Sequence, residues 1–236
     1  MKRRDFLIAG SAFGTSLAAG RETFSETPKE GNHDFTAEEA LQQLVDGNRR
    51  FVSGKPKHPH MTEDWIKRLT KGQKPFATIL ACSDSRVPLE LLFDQGFGDL
   101  FTIRVAGNVV TRYGIGSIEY AQHHLRTPLF MVLGHEGCGA VSATLLPKEQ
   151  RDKEPKGVRE LLDLVEVGSV DPQADARSKL ASAVEANVRN SFRQLVEIDP
   201  QAEGLHFLPS ELTVAAVYEI STGRVRILET YRDKPQ

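Results

Sequence analysis

Cys82 and Cys138 are the only cysteines among 236 residues, and each follows an apolar run within a short polar motif. Phe76-Ala77-Thr78-Ile79-Leu80-Ala81 leads into Cys82-Ser83-Asp84-Ser85-Arg86, and Leu129-Phe130-Met131-Val132-Leu133 leads into Gly134-His135-Glu136-Gly137-Cys138-Gly139. A histidine and a cysteine three residues apart can reach one ion, and a distant thiolate supplies a third ligand. Zinc accepts such a mixture tetrahedrally and keeps a fourth position open. The competing readings are a disulfide, or thiols that act only as small buried hydrophobes. Neither accounts for His135, Asp84 and Arg86, whereas a metal centre uses a third ligand and a charged shell around it.

The elements that must position these motifs follow from the apolar pattern. Strands are expected near 77–81, 100–105, 129–133 and 212–218, with helical stretches near 116–125, 137–145, 159–165 and 176–197. The first three strands are almost uniformly apolar, which suits strands covered on both faces of a parallel sheet, and strand–helix–strand order gives an α/β fold. Ile220-Ser221-Thr222-Gly223-Arg224 signals a final hairpin, so Val225 to Leu228 is expected as an antiparallel edge strand. At the other end, Thr36 and Glu39 form a capping box before Leu41, Leu44, Val45, Asn48 and Val52, an amphipathic face stopped by Gly54. A second helix is expected near 62–71. His58 and His60, flanked by Lys57 and Pro59, read as a solvated turn, and Trp65 as a packing anchor. Gly114-Ile115-Gly116 lacks the third glycine and the preceding strand of a dinucleotide fingerprint, and reads as a turn opening a helix. In such a sheet, ligands bind beyond the carboxyl ends of the strands, where both cysteine motifs fall.

Composition sets looser bounds. A chain with 39% hydrophobic and 26% charged residues and a formal net charge of −2 is ordinary globular material with no broad cationic field for nucleic acid or an acidic membrane. Lys2-Arg3-Arg4 precedes a modestly apolar stretch from Phe6 to Ala19, which resembles a twin-arginine export signal and is too short and weak for a membrane span. Residues 1–20 are therefore expected to be a removed signal directing the protein to the periplasm, 21–34 a polar leader, and 35–236 a single catalytic domain.

The motifs taken together are recognisable. Cys82-Ser83-Asp84-Ser85-Arg86-Val87-Pro88, then Arg104 with Ala106-Gly107-Asn108, then Gly116-Ser117-Ile118-Glu119-Tyr120-Ala121, then Gly134-His135 with Cys138-Gly139-Ala140-Val141, closely resemble the β-class carbonic anhydrases, over about residues 35–228. The resemblance implies reversible hydration of carbon dioxide at one zinc held by Cys82, His135 and Cys138, with water or Asp84 as fourth ligand. It further implies that Arg86 holds Asp84 off the metal in the active enzyme, so that Asp84 orients zinc-bound hydroxide toward the substrate carbon. Zinc on two thiolates and one imidazole carries no net charge, so its water should have a pKa above the value of about 7 found with three imidazoles, and activity should rise toward alkaline pH.

The resemblance also assigns a cleft. Gln73 matches a glutamine that hydrogen-bonds substrate or product, Phe101 and Tyr120 match aromatic lining, Ala106 stands where plant-type members carry valine, and Gly139 borders the same cleft. Ile79 replaces the tryptophan of members with a regulatory bicarbonate site, so no site of that design is expected although Arg104 is present. A homodimer or dimer of dimers is implied, with the helix of residues 36–52 as an embracing arm. Two alternatives share the ligands: a hydrolase of carbon disulfide or carbonyl sulfide, and a non-catalytic module binding zinc or bicarbonate. His123 and His124 read as a solvated helix end.

Overall fold

The structure, a computed structural model, describes residues 35–197 and 212–232. The signal and leader expected at 1–34 lie outside the described residues, as do His33 and His206.

Five strands form one sheet in the order β2-β1-β3-β4-β5. They are β1 (Ala77–Ala81), β2 (Leu100–Arg104), β3 (Leu129–His135), β4 (Leu212–Glu219) and β5 (Arg224–Arg232). The first four run parallel and β5 turns back antiparallel on β4, with a bulge at Ala215/Ala216. The fold is thus the α/β arrangement read from the sequence. β1 and β3 are buried along their whole length because helices cover both faces. Alternate residues serve opposite cores: Ile79, Leu129, Met131, Leu133 and Val214 on one face, Leu80, Phe130, Val132 and Ala215 on the other.

The first core is closed by α1 (Ala37–Val52) and α3 (Leu89–Leu92), whose Leu44, Leu92 and Phe93 pack onto it; α2 (Glu63–Leu69) lies between them in sequence. The Thr36–Glu39 capping box forms as expected. The second core is closed by α4 (Arg112–Tyr120) and α8 (Ala176–Val196), through Ile118, Val184, Val188 and Phe192. The short helices α5 (Gly139–Thr144), α6 (Lys148–Arg151) and α7 (Lys156–Leu162) lie between β3 and α8. Among the described residues no helix is long and apolar enough to cross a membrane.

Four expectations need correction. β2 is an edge strand in the single chain, with Thr102 and Arg104 exposed, because its outer side has no neighbouring strand. α4 starts earlier than expected: the Thr111 side chain accepts from the Gly114 N–H, which places Gly114 and Gly116 inside the helix instead of in a turn before it. The helix then widens into a π turn over Ala121–Leu125, closed by left-handed Arg126. His60 is no solvated turn residue. Its Nδ1 meets the buried Asp99 carboxylate at 2.7 Å and its ring stacks on Trp65 at 4.0 Å, so local Pro and Lys neighbours misrepresent its setting.

Candidate metal centre

Parallel pairing of Ala81 with Leu133 brings the ends of β1 and β3 to one edge of the sheet. Cys82 follows β1 directly, and His135 is the last residue of β3. Gly137, at φ 67, turns the chain so that Cys138 caps α5 and faces back toward both. The two sulfurs and a ring nitrogen of His135 all lie within 4.8 Å of one another. The Sγ–Sγ separation is 3.9 Å; two thiolates bound tetrahedrally at about 2.3 Å from zinc stand roughly 3.8 Å apart. No disulfide links them.

The polar atoms around this triangle fit a cation. The Nδ1–H of His135 donates to the Glu136 carbonyl at 2.9 Å, which leaves Nε2 as the lone-pair nitrogen. That Nε2 is buried without a hydrogen-bond partner. Cys82 Sγ accepts the Gly107 N–H at 3.3 Å. The contact with Cys138, helped by the His135 ring and the Gly107 N–H, pulls the Cys82 thiol well below its usual range, and the same contact with burial pushes Cys138 up. Two adjacent buried thiolates repel unless a cation lies between them.

Asp84 sits 3.7 Å from His135 Nε2. Arg86 grips it with both edges: Nε to Oδ1 at 3.0 Å and Nη2 to Oδ2 at 2.8 Å, with the Arg86 backbone N–H adding a third bond at 2.9 Å. These donors hold its carboxyl well below the usual carboxylate range. The same Nη2 reaches the Gly137 carbonyl at 3.2 Å, tying the first cysteine loop to the second. Arg104 straps the loop from the other side, donating to the carbonyls of Cys82 and Asp84. Ile79 is fully buried, so no indole occupies that position.

The remaining expected residues divide. Ala106 adjoins Gly107, whose N–H meets Cys82 Sγ, and Gly139 follows Cys138 as the first residue of α5. Gln73 is exposed and lies four residues before β1, whose five residues at ~3.3 Å each put roughly 16 Å between Ala77 and Cys82. Phe101 and Tyr120 face each other with centroids 6.1 Å apart at the exposed β2 edge, level with the start of β1. One chain therefore does not bring Gln73, Phe101 and Tyr120 together with the ligands. His124 is exposed beside the Tyr120 ring. The roles of the Glu136 carbonyl and the Gly107 N–H escape sequence reading, because a backbone group has no residue-type signature.

Comparison with known proteins agrees with this geometry. The family model described as carbonic anhydrase matches residues 77–225. A carbonic anhydrase of Mycolicibacterium smegmatis is 37% identical over 189 residues, covering 80% of this chain and 91% of that protein. Carbonic anhydrase 2 of Mycobacterium tuberculosis is 52% identical over 106 residues, 45% of this chain and about half (51%) of that protein. Among solved structures, the β-carbonic anhydrase CcaA aligns over 80% of this chain and 95% of its own at 27% identity and TM-score 0.62. A tetrameric β-carbonic anhydrase of the ascomycete Sordaria macrospora covers 80% and 96% at 21% identity and TM-score 0.60, a likeness of fold.

Proposed function

The chain belongs to the β-class carbonic anhydrase family, and from that premise we propose that it hydrates carbon dioxide reversibly at a zinc ion bound by Cys82, His135 and Cys138. The 3.9 Å sulfur separation and the unpartnered Nε2 of His135 support zinc as the ion. Zinc there supplies Lewis acidity that lowers the pKa of water at the fourth position.

The protein's own contribution is orientation. Asp84 has one face committed to Arg86 and its remaining lone pairs turned toward the triangle. From that position it accepts the hydrogen of the attacking water or hydroxide and leaves an oxygen lone pair aimed at the carbon of carbon dioxide, a positioning effect. The Gly137 carbonyl and Arg104 keep Arg86 and the Asp84 loop in place. In this reading Ala106 and Gly139, next to Gly107 and Cys138 in the chain, border the approach of a linear, uncharged substrate. A second copy of the chain completes the cleft in this reading: its Gln73, Phe101 and Tyr120 approach the site that one chain leaves open, which supports a homodimer or a dimer of dimers. The paired Arg3 and Arg4 before an apolar stretch support export to the periplasm.

The single observation that carries the reading is the buried Cys82–His135–Cys138 triangle beside a carboxylate already held by arginine. Stopped-flow hydration of carbon dioxide by zinc-quantified Asp84→Asn protein tests it. The expected result is full zinc content with kcat lowered roughly 10- to 100-fold. Unchanged kcat at full zinc content would remove Asp84 from the mechanism.

A further inference from the structure

Asn187 lies on α8, eighty residues from the loop it serves, and is completely buried. Both ends of its amide are used. Its Nδ2 donates to the Gly107 carbonyl at 2.7 Å, and its Oδ1 accepts the Glu166 N–H at 3.2 Å, so the partners fix which way the amide points. Gly107 has φ 71 and ψ 11, in the 3₁₀ turn Ala106–Asn108. A Cβ at Gly107 would come within 3.2 Å of Ala140 and Val165, so the turn is fitted closely between the metal loop and the segment after α7. The N–H of this same Gly107 donates to Cys82 Sγ. One turn of α8 further on, Ser191 donates to the Asn108 carbonyl at 3.1 Å, on the far side of the turn.

From this chain of bonds we propose that Asn187 is a positioning residue for the metal ligand Cys82, acting through Gly107, whose carbonyl and N–H lie on the two peptides joined at its Cα. The residue touches neither metal nor substrate. By holding the carbonyl of Gly107 it fixes the rotation of a left-handed turn, and the turn's N–H is thereby kept on the sulfur. An N–H donated to a thiolate withdraws charge from it and limits the directions in which its lone pairs can face the ion. Ser191 steadies the same turn one peptide further from the sulfur, at the Asn108 carbonyl, so the two residues separate tuning of the sulfur from support of the fold.

The inference rests on the Cys82–His135–Cys138 site holding metal, and the experiment separates the two. Wild-type protein that takes up no zinc, cobalt or cadmium would overturn the site itself. With metal bound, Asn187→Ala and the isosteric Asn187→Asp are compared with Ser191→Ala, using chelator competition for zinc and the sulfur-to-metal charge-transfer band of the cobalt(II) form. The expected outcome is zinc affinity weakened roughly 10- to 100-fold and a displaced charge-transfer band in the Asn187 variants. Ser191→Ala should melt earlier yet keep zinc affinity within about twofold and the band in place. Asn187 variants that lose thermal stability while affinity and band stay as in wild type would overturn the proposal. A further measurement needs no variant to fold: in cadmium-113-loaded wild-type protein, the Gly107 amide proton should show scalar coupling to the metal through the Cys82 sulfur. A Gly107 amide that exchanges freely with solvent and shows no coupling would equally overturn it.

Discussion

Asp84 receives two bonds from the Arg86 guanidinium and one from its backbone N–H, and these depress its pKa in the folded chain. For a carboxylate shifted downward, the stability contributed by the ionised form is present above the unfolded pKa of about 3.9 and is lost only as pH falls toward the lower folded value. Asp84 is therefore charged and gripped throughout the neutral and alkaline range. The rise of kcat toward alkaline pH expected from a neutral two-thiolate site then belongs to water at the fourth ligand position. A pH–rate profile should keep its rising limb in Asp84→Asn at reduced amplitude. If the limb disappears in that variant, Asp84 is itself the titrating group. Removing a ligand acts differently: Cys138→Ser should lower zinc retention through dialysis against chelator by at least tenfold, because the hard hydroxyl replaces a thiolate that zinc prefers.

At the scale of elements, Asn48 shows how α1 is fastened. Its Nδ2 donates to the carbonyls of Leu92 and Gly223, and its Oδ1 accepts the Val225 N–H, so one buried side chain joins α1 to the end of α3 and to the β4–β5 turn. Beside it, a Cβ on Gly47 would lie 1.6 Å from the Phe93 carbonyl oxygen, so α1 and α3 approach as closely as glycine allows. Asn48→Ala strips partners from three backbone groups and is expected to cost about 2–4 kcal/mol in urea unfolding. A loss below about 0.5 kcal/mol, the range of ordinary surface changes, would mean that the apolar face alone holds the helix. α8 has a comparable double duty: Val184 and Val188 pack against the sheet, and on the same buried face Asn187 and Ser191 hold the turn beside Cys82.

For the whole molecule, the division of the cleft gives the decisive test of assembly. If Gln73 serves the site of a second copy, chains carrying Gln73→Ala mixed with chains carrying Asp84→Asn should recover activity. Each mixed dimer then contains one site with native Asp84 and native Gln73. Subunit exchange followed by stopped-flow assay should give mixtures more active than either parent, approaching one quarter of wild-type activity for random pairing of equal amounts, if the parents are nearly inactive. Activity equal to the average of the parents would mean that Gln73 does not serve the site of a second copy. The arm is suited to such pairing: Val52 on α1 and Ile227 on β5 remain exposed at 39% and 40%.

Residue type and short spacing were enough to mark the Cys82–His135–Cys138 group, the Asp84–Arg86 pair, the Thr36 cap and the parallel sheet, because each is set by local chemistry or by periodicity within a few residues. β3 already ends in the motif it presents, so His135 needed no long-range information. Tertiary structure decided what depends on neighbours distant in sequence. It made β2 an edge, seated His60 between Asp99 and Trp65, and separated Gln73 from Cys82 by the length of β1. It also recruited Asn187 to a loop eighty residues away. Such contacts join backbone groups and side chains whose identities do not specify one another, so only the folded path of the chain could bring them together.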